Sequence, residues 1–258
     1  MNSGIQEIIH PEGVIEISLN LGEFNALTPD ALKEISDILH RLSESSNIRC
    51  LALTSKNEKF FSNGLDPSMM IGASEKKVRE LVELIFEASS RLFFFPRPAA
   101  AVIGGHCMGA AAILSLYCDY RFMTDRGARY CFPEANIAMN VPSFTARILI
   151  DLLGLKNAAN LLYTAKALKA PEAKEIGMVH EIFPASELHE KSFMEIEKLG
   201  RLPEESSSGI KEALRMHYRK LYDDLYEFDV TSTVRTILSK NTQEGFLSIV
   251  EKRRPRFS

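Results

Sequence analysis

Two glycine-containing segments follow predicted buried strands and are the parts of the sequence best suited to chemistry. Phe61–Asp66 comes shortly after the strand predicted at Ile48–Thr54, and Gly104–Ala112 comes directly after the strand predicted at Ala99–Ile103. Ligands of an open α/β sheet bind beyond the carboxyl ends of its strands, and the second segment also opens a helix whose first N–H groups lack partners within the helix. Two such N–H groups pointing at one carbonyl oxygen would form an oxyanion hole. By spacing alone, a tight strand-to-helix turn that only packs closely explains the pattern equally well.

An alternation of strands and helices must position these segments. Apolar residues alternate with polar ones over Val14–Leu19, which predicts a strand. A helix follows, with Thr28 as its cap and Pro29 at its first position, and its apolar residues recur at helical spacing: Leu32, Ile35, Leu39 and Leu42. The apolar run Ile48–Thr54 is typical of a strand covered on both faces. This order of strand, helix and strand predicts a right-handed βαβ crossover.

The later part of the chain changes from mixed elements to helices. A second amphipathic helix ends before Pro96, and a buried helix is predicted over Gly109–Tyr117. Short strands are predicted at Tyr120–Thr124 and Arg129–Phe132. From Phe144 onward the pattern is helical apart from Met178–Phe183, and Glu204–Gly209 is predicted as a hinge. We therefore divide the chain into a core at residues 1–203 and a C-terminal helical segment at residues 204–258.

The composition is that of an ordinary globular protein. The 258 residues are 45% apolar and 25% charged with a formal net charge of -3, which excludes a disordered chain, a collagen-like chain and a small disulfide scaffold. The same balance argues against nucleic acid as the main partner. Four scattered cysteines predict buried thiols in a reducing compartment. We expect a cytoplasmic protein with no signal peptide, no membrane span and no metal site.

Six segments, in order along the chain, resemble the enoyl-CoA hydratase/isomerase (crotonase) superfamily. Each is weak alone, but together they cover about residues 12 to 257. They are Asn25–Leu27, Phe61–Asp66, Pro98–Gly105 with Gly109–Asp119, Phe132–Glu134, Ala173–Val179, and Glu244–Phe246 with Glu251–Phe257. The resemblance implies an α/β fold, the crotonase-like spiral of ββα units with a C-terminal helical segment.

The resemblance also implies a CoA thioester substrate and an enolate held by two backbone donors. These map onto the N–H groups of Leu65 and Ala110, the second standing where the family usually has glycine. The α-proton of a thioester is too weakly acidic to leave at neutral pH without such donors, and one well-placed donor contributes about 2.7–4 kcal/mol. We expect the neighbouring loop residues to contact the substrate: Ser62, Asn63, Gly64, Asp66 and Gly109.

The catalytic base separates the activities within the family. Hydratases use two carboxylates, and the resemblance maps the first onto Ile113 and the second onto Glu134. A single carboxylate can still move a proton from C2 to C4 of a 3-enoyl-CoA, and the Δ3,Δ2-enoyl-CoA isomerases are similar in having one glutamate at this place. We therefore predict a Δ3,Δ2-enoyl-CoA isomerase of fatty acid oxidation, with Glu134 as the catalytic residue. An enoyl-CoA hydratase, another acyl-CoA reaction of this fold, and a non-catalytic acyl-CoA-binding or scaffold relative remain alternatives.

The resemblance further implies the partners. The acyl-CoA is the substrate, so no separate cofactor is expected, and neither nucleic acid nor a membrane is an expected partner. Family members join into trimers or pairs of trimers, so we expect a homotrimer or hexamer. The segment at residues 204–258 would cover the active site or join the subunits.

Overall fold

The computed structural model describes residues 4–258 and builds them into two β-sheets with helices around them. The strands are β1 (Ile5–Ile9), β2 (Val14–Leu19), β3 (Cys50–Ser55), β4 (Phe60–Ser62), β5 (Ala99–Ile103), β6 (His106–Met108), β7 (Tyr120–Thr124), β8 (Arg129–Cys131), β9 (Leu168–Lys169) and β10 (Glu181–Phe183). The helices are α1 (Pro29–Ser43), α2 (Glu75–Phe93), α3 (Ala110–Tyr117), α4 (Ser143–Thr164), α5 (Ala170–Glu175), α6 (Leu188–Gly200), α7 (Glu204–Ile237) and α8 (Lys240–Val250). Short 3₁₀ turns lie at Pro11–Gly13, Pro67–Met69 and Glu134–Ile137.

The larger sheet forms the centre of the molecule, with strand order β1-β2-β3-β5-β7-β10. Its strands are parallel except for β1, which pairs with β2 in antiparallel fashion. The inner strands β2 and β5 are buried along their whole length, which is the burial expected of parallel strands covered on both faces. This mixed α/β architecture agrees with the crotonase-like fold implied by the sequence.

The smaller sheet carries the loops that the sequence singled out. Its order is β4-β6-β8-β9, and β4, β6 and β8 run parallel to one another. The carboxyl ends of these strands lie at one edge of the sheet. Three segments leave from that edge: the loop at residues 63–66, the turn into α3, and the 3₁₀ turn that begins at Glu134.

The first βαβ unit forms as predicted. β2 has the predicted bounds, and β3 lies parallel to it. The Thr28 hydroxyl accepts a hydrogen bond from the Ala31 N–H at 3.2 Å, so it caps α1 as the sequence predicts. The structure adds β1, a strand that the sequence analysis did not predict.

The hinge predicted at Glu204–Gly209 is wrong, because α7 begins at Glu204 and continues to Ile237. Pro203 stands at the N-terminal cap position, and Glu204 and Glu205 lie in the first turn, where negative charge stabilises a helix. The Glu204 carboxylate also pairs with Arg49 at 2.9 Å and with Arg97 at 3.0 Å. The boundary at residue 204 is therefore the start of a helix that is attached to the core, and its separate role stays a prediction.

A cluster of ion pairs in the N-terminal part of α7 fixes this helix to the rest of the protein. Lys211 is 5% exposed and binds Asp119, which also pairs with Arg215 at 2.9 Å. These charges hold the pKa of Asp119 below its usual value despite its burial. α7 is thus anchored at one end, and its remaining turns extend across the edge from which the three loops leave.

Candidate active site

The loop after β4 and the first turn of α3 touch each other at Gly64. Gly64 has a φ of +80°, and a Cβ atom there would lie 2.7 Å from the Met108 carbonyl oxygen and 3.1 Å from the Ala110 nitrogen. Only glycine allows both this backbone conformation and this close approach. The Gly64 carbonyl in turn accepts a hydrogen bond from the Leu27 N–H at 2.8 Å. The structure therefore brings the two glycine-containing segments together.

Two backbone N–H groups at this contact donate to no acceptor in the part of the chain that the structure describes. Ala110 is the first residue of α3, so its N–H has no acceptor within the helix. Across residues 4–258, neither the Leu65 N–H nor the Ala110 N–H donates to a backbone or side-chain acceptor. Leu65 and Ala110 both line the same cavity. A carbonyl oxygen placed in this cavity could accept hydrogen bonds from both N–H groups.

The cavity has a volume of about 270 Å³ and a largely apolar wall. Its floor comes from the residues just described, and its sides come from α2, α3, α4, α7 and α8. The apolar lining includes Leu65, Met70, Val82, Ile85, Phe86, Met108, Ile113, Ile137, Met139, Phe144, Ile237, Phe246 and Ile249. Such a cavity suits a hydrocarbon chain.

Glu134 is buried in this wall at the start of its 3₁₀ turn. Glu134 is 7% exposed, and its Oε2 atom has no hydrogen-bond partner in the described part of the chain. Burial penalises the charged carboxylate and raises the pKa of Glu134 from 4.5 to about 7. A carboxyl group with this pKa can take up and release a proton near neutral pH.

Ile113 stands at the position onto which the resemblance maps the first of the two hydratase carboxylates. It lies one turn into α3, where its N–H bonds to the Gly109 carbonyl at 3.0 Å, and its side chain lines the cavity. Asp229 also lines the cavity, but both of its carboxylate oxygens accept N–H groups of α4, from Ser143 at 2.8 Å and from Phe144 at 2.9 Å. Asp229 therefore acts as a helix cap, which leaves Glu134 as the cavity carboxyl group with an unpartnered oxygen in the described part of the chain.

The other predicted residues divide into two groups. Asn63 and Gly109 line the cavity. Ser62 is fully buried and its hydroxyl accepts from the Gly64 N–H at 3.1 Å, while Asp66 accepts from the Ser68 N–H at 2.9 Å and caps the short turn at residues 67–69. Ser62 and Asp66 thus support the loop in this structure, and their contact with a substrate stays a prediction.

The C-terminal helices contribute cavity residues that were not among the predicted site residues, although the resemblance implies that residues 204–258 cover the active site or join the subunits. One face of α7 lines the cavity, through Tyr222, Tyr226, Asp229, Thr233 and Ile237, and α8 adds Phe246. The spacing of the α7 residues places them on one side of a helix, so the sequence carries a signal for a common face. The spacing alone does not show which part of the protein this face covers.

Comparison with known proteins agrees with this geometry. A family model described as enoyl-CoA hydratase/isomerase matches residues 10–258. The chain belongs to the enoyl-CoA hydratase/isomerase family. The match extends over the site residues and over α7 and α8, so the family assignment covers the cavity as well as the sheets.

Relatives of this family member carry both activities in their names. YngF of Bacillus subtilis, named as an enoyl-CoA hydratase/isomerase, is 30% identical over 258 residues, which cover 98% of each chain. The short-chain-enoyl-CoA hydratase of Clostridium acetobutylicum is 30% identical over 183 residues, 70% of each chain. The structure of human mitochondrial delta3-delta2-enoyl-CoA isomerase superposes with a TM-score of 0.91 at 22% identity, covering 97% of this chain and 98% of the other, and this likeness shows the fold.

The part of the chain that the structure describes contains neither a candidate membrane span nor a candidate metal site. No helix within residues 4–258 is long and apolar enough to cross a bilayer. In the same part of the chain, no group of three or more His, Cys, Asp or Glu side chains is placed to hold a metal ion.

Proposed function

We propose that this family member is an isomerase that converts 3-enoyl-CoA to trans-2-enoyl-CoA in fatty acid oxidation. The observation that carries the proposal is that, among the described residues lining the apolar cavity, Glu134 is the one carboxyl group with an oxygen that has no hydrogen-bond partner. The resemblance maps the other carboxylate of the hydratases onto Ile113. A 1,3-proton shift needs one group that takes and returns a proton. Addition of water needs a water molecule to be activated as well, for which an isoleucine offers nothing.

Glu134 would act first as base and then as acid. In its ionised form it takes a proton from C2 of the 3-enoyl thioester, which leaves a dienolate. It then returns the proton to C4, and the double bond moves to the position conjugated with the thioester. The pKa of about 7 supports this role, because a proton shuttle is most efficient when its pKa is near the working pH.

The backbone donors of Leu65 and Ala110 would hold the thioester oxygen while it carries negative charge. Two observations support this role: neither N–H group has an acceptor among the described residues, and Gly64 brings the two segments into contact. Each such donor contributes about 2.7–4 kcal/mol to the stability of the oxyanion. Asn63 and Gly109 would contact the substrate beside them, since both line the cavity.

The C-terminal helices would cover the acyl chain of the substrate. This part of the proposal is supported by the α7 face that closes the cavity of the same subunit. A homotrimer or hexamer remains our prediction for the assembly, and the molar mass in solution, measured by light scattering, tests it.

The decisive experiment measures two reactions with the full-length protein. Wild type should convert a 3-enoyl-CoA to its conjugated isomer, followed by the ultraviolet absorbance of the conjugated thioester, and should add water to crotonyl-CoA much more slowly. Glu134→Gln should lose at least about 100-fold in isomerase rate while still binding a saturated acyl-CoA. Glu212→Gln, at an exposed carboxylate of α7, serves as the matched control and should keep the wild-type rate.

The alternatives give different results in the same assays. Faster hydration of crotonyl-CoA than isomerisation would replace the proposal with a hydratase. Binding of acyl-CoA without either reaction would indicate a non-catalytic relative. Full isomerase activity of Glu134→Gln would refute the role of Glu134.

A further inference from the structure

The cavity wall contains polar atoms that the proposed reaction does not use. In the described residues, three buried side-chain atoms of the lining besides the Glu134 oxygen have no hydrogen-bond partner: Ser89 Oγ, Asn140 Oδ1 and Thr233 Oγ1. Ser89 is 4% exposed and Thr233 is 6% exposed. A buried polar atom without a hydrogen-bond partner is costly. A polar group on the bound substrate would remove this cost.

Two of these atoms lie on neighbouring parts of the structure and form what we call the polar corner, which consists of Asn140 and Thr233. The Asn140 amide donates to the Ser232 hydroxyl at 3.1 Å, which ties it to α7 next to Thr233. One end of the amide is thereby occupied, and the other end is free. Apolar residues of the same lining surround the polar corner, among them Met139 and Ile237.

The chemistry of the polar corner selects among possible groups. An amide oxygen accepts a hydrogen bond, and a threonine hydroxyl can donate one. An aliphatic hydroxyl can serve either atom, because it is a donor and an acceptor. A carboxylate could not donate to the amide oxygen, and none of the described residues that line the cavity is a lysine, arginine or histidine that could balance its charge.

An ammonium group fits less well than a hydroxyl. The candidate counter-charge on the same helix is Asp229, one turn before Thr233, and both of its oxygens already accept the first N–H groups of α4. Burial of an ammonium beside an engaged carboxylate is costly. The hydroxyl is therefore the group that can pair with either atom of the polar corner without burying a charge.

We propose that the polar corner binds a hydroxyl group carried on the acyl chain beyond C4, so that this protein prefers hydroxylated acyl-CoA esters to plain ones. The inference rests on the proposed function, because it requires an acyl chain in this cavity. It goes beyond that function in naming the class of acyl chain.

Binding rather than turnover tests the inference. Octanoyl-CoA and hydroxyoctanoyl-CoAs with the hydroxyl at successive carbons beyond C4 do not contain the reacting double bond, so their affinities do not depend on the isomerase reaction. Titration calorimetry with the full-length wild type should show one hydroxyl position that binds about tenfold more tightly than octanoyl-CoA. Thr233→Val, which keeps the volume and removes the hydroxyl, should reduce this affinity ratio to about one.

Ser89→Ala is the matched control, because it removes an unpartnered hydroxyl from α2 on another wall of the cavity. The affinity ratio should stay as in wild type. A ratio that falls in Ser89→Ala and not in Thr233→Val would overturn the assignment to the polar corner. Equal affinity for octanoyl-CoA and every hydroxylated ester would also overturn it and would leave water as the occupant, with the proposed function intact. Failure of all the esters to bind would instead refute the proposed function together with the inference.

Discussion

Replacement of Glu134 by glutamine should stabilise the fold above neutral pH while it abolishes the proton shift. The carboxyl group is buried and its Oε2 atom has no partner among residues 4–258. Its ionisation therefore loses the solvation of water, and the hydrogen bond from its own backbone N–H compensates for only part of that loss. Glutamine has nearly the same size and remains neutral, so it removes the cost of burying the charge.

The size of the effect follows from the pKa. Burial raises the pKa of Glu134 from 4.5 to about 7, and each pH unit of difference corresponds to about 1.4 kcal/mol, which gives about 3 kcal/mol. Because the pKa of Glu134 is higher in the folded than in the unfolded chain, the neutral carboxyl group contributes its full stability below pH 4.5. This contribution is lost as the pH rises to about 7, where the folded protein ionises as well. The variant does not titrate, so its advantage in free energy of unfolding grows over this range to about 3 kcal/mol.

Urea unfolding at about pH 5 and about pH 8, followed by circular dichroism at one protein concentration, measures this difference. Glu212→Gln is the control, because it makes the same chemical change at an exposed position outside the cavity. A Glu134→Gln advantage that is equal at the two pH values, or larger at the lower one, would refute the reasoning.

Three further predictions concern the pH profile, the contact at Gly64 and the anchor of α7. The kcat/KM of wild type for isomerisation should rise about tenfold per pH unit below pH 7 and level off above it, because only ionised Glu134 can take the proton; a flat profile there would contradict this. Gly64→Ala should lower kcat/KM by about 100-fold, since the new Cβ would lie 2.7 Å from the Met108 oxygen and separate the two loops; a wild-type rate in a variant with a native circular dichroism spectrum would disprove it. Asp119→Asn should lower the free energy of unfolding by about 3–5 kcal/mol, because Lys211 would remain buried without its carboxylate; a loss below about 1 kcal/mol in urea unfolding would be inconsistent with it.

The fold was predictable where local pattern and tertiary burial agree. β2 and α1 follow directly from alternation, helical spacing and the Thr28 cap. β1 was missed because it is an edge strand with a mostly exposed face, so Ile5–Ile9 has no clear alternation of burial. The serines after Pro203 were mistaken for a hinge, because their composition is that of a linker and the ion pairs that hold Glu204 to the core come from distant parts of the chain.

The site was predictable as far as its motifs extend. The residues placed at the loops, Leu65, Ala110, Ile113 and Glu134, all lie at the same cavity. The resemblance implied that residues 204–258 would cover the active site or join the subunits, but the particular α7 residues at the cavity were not predictable. Helical spacing identifies a common face, and long-range packing decides which cavity that face meets. The polar corner belongs to the same category, since the hydrogen bond that ties Asn140 to Ser232, the residue before Thr233, joins parts of the chain that are distant in sequence.

The isolation of the Glu134 carboxyl group also decides the fate of the hydrogen it carries. Its free oxygen is shielded from solvent, and within residues 4–258 no side chain is bonded to it that could relay a proton outward. A hydrogen taken from C2 would therefore be handed to C4 of the same molecule, and to the same face of the dienolate, because a single carboxyl group serves both carbons. A deuterium label at C2 should survive the reaction in ordinary water and appear at C4, so isotope retention measured by NMR reports how well the cavity wall seals the proton from the bulk.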